Sequence, residues 1–251
     1  MKCQNCGNEV LGNFCSSCGQ RIVANHRLSW AYLGKDFSEN ILNFERGFIF
    51  TAYALFVRPG STVRAYIDGR RISYSSPAKY YVIVTILISI INYIIHYQTN
   101  ASIDLFVVND TQKIMIIPEP YRVQAGIWNI KIINHYPVVA GLIRAILYPA
   151  VTYFVFRRER LNFVEHISAM FYFQATWLLI LYLSLVIAVI FGFRIHIEFA
   201  YFVIWGYLLW AFYSFFVSYS VVQRIIRSLV TILIISLGWL YVVMGLSIIF
   251  G

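Results

Sequence analysis

The chain has 251 residues, of which 60% are hydrophobic and 12% are charged, and its mean hydropathy is +0.68. The charged share is about half that of an average soluble protein, so the composition excludes a water-soluble domain and predicts an integral membrane protein. The formal net charge of +9 is then expected to report orientation, because cytoplasmic loops carry the excess of Lys and Arg. We expect no nucleic-acid partner.

The four cysteines lie at the N-terminus in the pattern C-x2-C-x8-C-x2-C, and a glycine follows each pair: Cys3, Cys6, Cys15 and Cys18. Each C-x2-C turn places two thiolates on one side of an ion, and the glycine tolerates the left-handed backbone that such a turn uses. Four sulfurs form a closed tetrahedral site, so we predict one structural Zn2+ per chain.

Two disulfides in an exported domain are the alternative. The N-terminal stretch has no apolar core of a secretory signal, and the topology below predicts a cytoplasmic, reducing location. The stretch CQNCGNEVLGNFCSSCGQ resembles short zinc ribbons of the double-zinc-ribbon kind. The resemblance implies a module over residues 1–20 that folds only with its metal.

Residues 21–76 are predicted to form amphipathic and interfacial helices on the cytoplasmic side. Apolar residues recur at helical spacing from Trp30 to Phe48. The apolar run from Gly47 to Val57 is too short to span a bilayer and ends at Arg58-Pro59-Gly60. The basic residues of this segment either set orientation or contact anionic lipid headgroups, and the candidates are Arg58, Arg64, Arg70, Arg71 and Lys79.

The remainder, residues 77–251, is predicted to be an all-α membrane domain. Each of five apolar stretches is long enough to cross about 30 Å of hydrocarbon. The predicted spans are residues 77–97, 137–156, 167–191, 199–221 and 225–250. The outer loop, residues 98–136, contains strand-like stretches that favour a short β-hairpin.

The Lys and Arg residues predict the orientation of this bundle. Fifteen of the twenty lie on one side: thirteen precede the first span or lie between spans two and three or spans four and five, and Lys79 and Arg227 lie in the first turn of spans one and five. Four lie on the other side. This distribution predicts a cytoplasmic N-terminus and an outside C-terminus.

Arg144 lies inside the second span, five residues before Pro149. A charge in hydrocarbon is costly, so it indicates either a functional site or a side chain that reaches back to the headgroups. In the first case, the proline kink opens a polar cavity with Asn92 and Glu198 as neighbours at similar depth. Small residues that allow helix packing, within the chain or between copies, are Gly141, Ala145, Gly238 and Gly245.

The stretch from Phe44 to Ile90, with its elements Arg58-Pro59-Gly60 and Gly69-Arg70-Arg71, together with the cysteine pairs resembles an uncharacterised bacterial family. That family joins a domain of unknown function to a zinc ribbon and a multi-span membrane region. The resemblance implies a bacterial inner membrane and no established activity. The order of an amphipathic segment before five spans is also similar to Yip1-type membrane proteins, in topology alone.

Motifs of common hydrolases, metalloproteases and nucleotide-binding enzymes are absent from the sequence. The sequence therefore favours a non-enzymatic membrane protein whose zinc ribbon acts as a docking or assembly module. We expect membrane lipids as partners, and a protein partner or self-association through the ribbon or the small-residue faces. A lipid or small-solute transporter or channel that uses the Arg144 cavity is the alternative, and a membrane enzyme is a third hypothesis.

Overall fold

The computed structural model describes residues 2–22, 27–34, 47–99, 106–107, 137–191 and 195–250. These residues are mostly helical, and residues 30–34 form a short helical turn before the first long element. The elements in chain order are α1 (Gly47–Val57), α2 (Pro59–Ile67), α3 (Pro77–Thr99), β1 (Phe106–Val107), α4 (Pro137–Val155), a 3-10 turn (Arg157–Glu159), α5 (Phe163–Phe191), β2 (Ile195–His196), α6 (Ile197–Phe215) and α7 (Val221–Phe250).

Local sequence sets the starts of these helices. Pro59 and Pro77 each occupy the first position of a helix, where the missing N–H is not needed. Asn162 and Glu165 form a capping box before α5, since each side chain accepts a hydrogen bond from the other's backbone N–H at 2.8 Å. As a result α5 begins at Phe163, one turn before the predicted start of the third span.

The helices pack around α5, which contacts α3, α4 and α6 and also touches α1 and α2. Helix α7 packs on α4 and α6 at the edge of the bundle. Aromatic rings fill much of the core, and the rings of Phe156 and Phe216 stack with centroids 3.6 Å apart. Helix α1 lies against the bundle through Phe48 and Tyr80, whose ring centroids are 5.3 Å apart.

Two helical stretches are long and apolar enough to cross a membrane: Phe163–Ala188 and Val221–Gly245. Within the described residues, the apolar parts of the other predicted spans are 10–17 residues long. The fold is therefore helical with two candidate membrane spans. All five predicted spans form helices, but the fourth ends at Phe215 rather than at residue 221.

The helix ends form two opposite sides of the bundle. At one end of the bundle, four segments contact one another: residues 27–34, 59–72, 157–162 and 216–220. We call this end the basic face, because most of its charged side chains are arginines. At the other end, β1 pairs in parallel with β2. The predicted hairpin lies mostly in residues 108–136, and the predicted helix from Trp30 to Phe48 includes residues 35–46; both segments fall outside the described residues.

Candidate metal centre and the basic face

The four cysteines sit in two equivalent turns, related by a shift of twelve residues. In each turn the glycine N–H donates to the carbonyl of the first cysteine at 2.8 Å, and the glycine has a positive φ: +80° at Gly7 and +73° at Gly19. The N–H of the first cysteine donates to the carbonyl five residues on, which closes the turn. This backbone conformation explains why glycine follows each pair, since other residues are strained there.

The sulfur atoms converge on one point. All four Sγ atoms lie within 4.8 Å of one another. The Cys3–Cys18 and Cys6–Cys15 Sγ distances are 3.6 and 3.5 Å, too long for a disulfide and close to the ~3.8 Å edge of a tetrahedron with 2.3 Å metal–sulfur bonds. The donor set therefore fits a tetrahedral metal ion, and the predicted cysteine cluster is confirmed as a candidate metal site.

Backbone hydrogen bonds stabilise the thiolate forms of the cysteines, which are the forms that bind a cation. The N–H of Cys18 lowers the pKa of the Cys15 thiol to about 6, and the N–H of Cys6 lowers the pKa of Cys3. The N–H of Asn8 also lowers the pKa of Cys6, but burial and the three other sulfurs together raise it to about 12. Four thiolates at these distances repel one another, so full ionisation needs a bound cation.

The side chain of Gln20 attaches this ribbon to the turn between α2 and α3. Its Nε2 donates to the Gly69 carbonyl at 2.7 Å, and its Oε1 accepts from the N–H groups of Arg71 and Ile72 at 3.1 and 3.4 Å. Gln20 is 8% exposed, so these bonds are shielded from water. Gly69 has a φ of +102°, which other residues rarely adopt, and a Cβ there would lie 1.8 Å from the Gln4 side chain, so a larger residue would be strained and would displace that side chain.

The predicted headgroup residues fall into different environments. Arg58 and Arg70 are exposed. Arg71 lies inside the junction, where its guanidinium stacks on Tyr32 at 4.3 Å and its Nε donates to the Tyr66 carbonyl at 3.3 Å. Lys79 is buried at the start of α3.

Arg64 joins α2 to both loops of the basic face. Its guanidinium forms an ion pair with Glu159, and its Nε donates to the Phe215 carbonyl at the end of α6. Glu159 also accepts from the N–H and hydroxyl of Ser218 at 2.7 and 3.0 Å. Its side chain is only 1% exposed, so the carboxylate depends on these three donors.

Other arginines of the basic face donate hydrogen bonds to carbonyls at the C-terminal ends of helices. Arg227 donates to the Val155 carbonyl at 2.7 Å, Arg157 to the Phe154 carbonyl and Arg224 to the Tyr213 carbonyl. The last carbonyls of a helix lack intrahelical partners, and a cation there interacts favourably with the helix dipole. The arginines read from the sequence as orientation signals are thus also helix C-caps.

The segment 27–34 ties the N-terminal part to α5. The Arg27 guanidinium lies 3.6 Å from Glu165 and donates to the Arg160 carbonyl. The Asn162 side chain donates to the Leu28 carbonyl at 2.9 Å. Segment 27–34, α2 and the loops at 157–162 and 216–220 are therefore linked through one set of polar contacts.

Arg144 is buried between helices α4, α5 and α7. Its Nε donates to the Ala140 carbonyl at 3.0 Å, and its guanidinium lies 4.8 Å from the Trp239 ring and 5.5 Å from the Trp177 ring. Helix α4 continues through Pro149, whose carbonyl accepts from the Thr152 hydroxyl at 3.1 Å. The side chains of Asn92 and Glu198, its predicted neighbours, fall outside the described side chains.

The small residues of helices α4 and α7 pack differently from one another. A Cβ at Gly141 would lie 1.8 Å from the Tyr81 hydroxyl, and one at Gly238 would lie 3.4 Å from Leu147, so both pack within the chain. Ala145 is buried. Among the described atoms, none lies within 4 Å of the Cβ position of Gly245, and self-association there stays a prediction.

Comparison with known proteins identifies one segment. Residues 45–88 match a family described as a protein of unknown function (DUF3667). Within the matched segment, the described residues comprise α1, α2, the turn that holds Gln20 and the first half of α3. The match confirms the resemblance over that segment and does not extend it to the remaining helices or to Yip1-type proteins. No curated protein and no solved structure matches the chain.

Proposed function

We propose that the chain is a non-enzymatic membrane protein whose N-terminal ribbon binds one Zn2+ through Cys3, Cys6, Cys15 and Cys18 and acts as a docking module. The observation that carries the proposal is the bonding of Gln20 to the turn at residues 69–72. Gln20 follows the last cysteine by two residues, so the metal that orders the second cysteine turn also orders the residue that docks it.

Zinc is the metal of choice for this donor set. Four cysteine sulfurs in a closed tetrahedron leave no position for a substrate, which favours a structural over a catalytic ion. The ribbon has a small apolar core, made by Val10 and the cysteines with Ile22 packed beside it. Such a core supplies little folding free energy, so the metal has to supply the rest.

The docked ribbon presents an apolar surface for a partner. Leu11 and Phe14, between the two cysteine turns, are largely exposed, whereas Gln4 and Gln20 lie against the turn at residues 69–72. We infer that the ribbon is held through Gln20 and recruits a protein through Leu11 and Phe14, because exposed apolar side chains on a small module favour an interaction site.

We further propose that all five apolar helices cross a bacterial inner membrane, with the N-terminus in the cytoplasm and the C-terminus outside. Two observations support this topology. The arginine-rich segments meet at one end of the bundle, while β1 and β2 pair at the other. The two helices that are long and apolar enough to span, α5 and α7, each begin at the basic face.

Zinc content and docking can be tested together. Elemental analysis of the purified protein should find about one zinc per chain, and the Cys15→Ser/Cys18→Ser double variant should lose it. Gln20→Ala should keep the zinc but expose the 69–72 turn to limited proteolysis. Full zinc retention in the double variant would contradict the metal assignment, and unchanged proteolysis in Gln20→Ala would contradict the docking role.

A further inference from the structure

Arg144 carries a charge that the described part of the protein does not neutralise. The residue is 4% exposed. Among the residues that the structure describes, the hydrogen-bond partner of Arg144 is one backbone carbonyl. The carboxylates that form ion pairs there, Glu159 and Glu165, lie at the basic face and pair with Arg64 and Arg27. A buried guanidinium has five N–H donors and is costly to leave without an anion.

Helix α5, which packs against α4, carries further buried donors without acceptors. The indole N–H of Trp177, whose ring lies 5.5 Å from the Arg144 guanidinium carbon, is buried with no hydrogen-bond partner. One turn earlier on the same face of α5, both polar atoms of Gln174 are also buried without partners. Buried polar groups are normally satisfied, so this grouping points to an absent acceptor.

We propose that Arg144, Trp177 and Gln174 form a binding site for a phosphate group, supplied by the headgroup of an anionic membrane lipid. Phosphate offers several acceptor oxygens to a guanidinium fork and to the indole and amide N–H groups. The faces of Trp177 and Trp239 that stack on Arg144 give the site apolar walls that suit a lipid.

The position of the site fits a lipid source. Arg144 lies seven residues from the start of α4, about 10 Å along the helix axis at 1.5 Å per residue. That end carries the strands rather than the basic face, so the site is distinct from the exposed Arg58 and Arg70. The proposed phosphate site does not depend on the zinc ribbon. It would also be needed by the alternative function, a lipid or small-solute transporter.

Trp177→Phe is the sharpest variant, because it keeps an aromatic ring beside Arg144 and removes only the N–H and the larger ring area. Trp210→Phe is its matched control, since Trp210 is half exposed on α6. Arg144→Gln removes the charge, and Arg58→Gln is the control for lipid bound at the basic face. Each protein would be melted in nanodiscs of phosphatidylcholine and of an equimolar mixture with phosphatidylglycerol. Both lipids carry a phosphate, but the choline of phosphatidylcholine neutralises it, so the comparison tests the anionic headgroup that the proposal names.

Phosphatidylglycerol should raise the wild-type melting temperature by roughly 3 °C or more, as expected for a ligand well above its dissociation constant. The increase should vanish in Arg144→Gln and shrink in Trp177→Phe, but persist in both controls. In phosphatidylcholine alone, the melting temperature of Trp177→Phe serves as its own reference, because the substitution removes an unpartnered donor but also shrinks a buried ring.

A second arm distinguishes the source of the phosphate. Inorganic phosphate would be added in detergent, with sodium chloride of equal ionic strength as the reference. Stabilisation by inorganic phosphate that requires Arg144, without an effect of the lipid, would keep the site and assign it a soluble ligand. No stabilisation by either probe, or equal stabilisation in wild type and Trp177→Phe, would overturn the proposal; Trp177→Phe decides if Arg144→Gln does not fold.

Discussion

Glu159→Gln should destabilise the protein more than any exposed substitution on the basic face. The carboxylate accepts from Arg64 and from two groups of Ser218, and its side chain is 1% exposed. A glutamine has one acceptor oxygen, so in either orientation its NH2 group faces a donor, the Arg64 guanidinium or the Ser218 N–H. The substitution thus removes the ion pair and leaves at least one buried donor without a partner.

The size of the effect follows from the burial of the two partners. Breaking a fully buried ion pair costs about 3–5 kcal/mol. The Arg64 side chain is 27% exposed, so water screens part of its attraction. We therefore expect a loss of about 2–3 kcal/mol, or a fall in melting temperature of roughly 5–10 °C for a chain of this length.

The assay is thermal unfolding in one detergent, with Arg64→Gln and the double variant alongside. Arg64→Gln should lose at least as much stability, because it leaves the carboxylate paired with Ser218 alone and frees the Phe215 carbonyl. The double variant should lose less than the sum of the single losses, since the pair is coupled. The neighbouring Arg158, which is exposed, supplies the control Arg158→Gln. A Glu159→Gln protein within about 0.5 kcal/mol of wild type would refute this reasoning.

Three further outcomes are expected. Gly60→Ala should strongly destabilise or unfold the protein, because the new Cβ would lie 2.2 Å from the Ser214 backbone, whereas Gly206→Ala has open space and should be tolerated on thermal melting. In a cysteine-free background, Asn109→Cys should react with an impermeant maleimide in intact cells and Arg158→Cys only after lysis; equal labelling in intact cells contradicts the topology. Zinc retained after dialysis should fall as the pH drops from about 7.5 to about 5, because proton binding to the thiolates competes with the metal, and constant zinc content would argue against thiolate ligation.

Periodic and local patterns in the sequence predicted most of the elements. The proline at the start of α3 and the Arg58-Pro59-Gly60 break between α1 and α2 lie where the sequence placed them. The cysteine spacing alone predicted the metal cluster, because two C-x2-C turns have few other uses. These features depend on residues close together in the chain.

Contacts between distant residues could not be read from the pattern. Gln20 is an ordinary polar residue in the sequence, and its role depends on the turn 49 positions later. Glu159 lies in a run of arginines that suggests a solvated loop, yet it is buried because Arg64 arrives from α2. The capping role of the arginines could not be predicted either. An arginine near the end of a predicted span fits the orientation rule and also fits a helix C-cap, so the sequence does not distinguish the two roles.

The central claim is that the metal site and the turn at residues 69–72 form one unit through Gln20, and amide hydrogen exchange tests it most directly. The N–H groups of Arg71 and Ile72 donate to the Gln20 side chain, so they should be protected in the zinc-loaded protein. Removal of zinc by a chelator should increase exchange at residues 69–72, and readdition of zinc should restore protection. Gln20→Ala should exchange rapidly at this turn with zinc bound. Equal protection of the turn with and without zinc would contradict the claim.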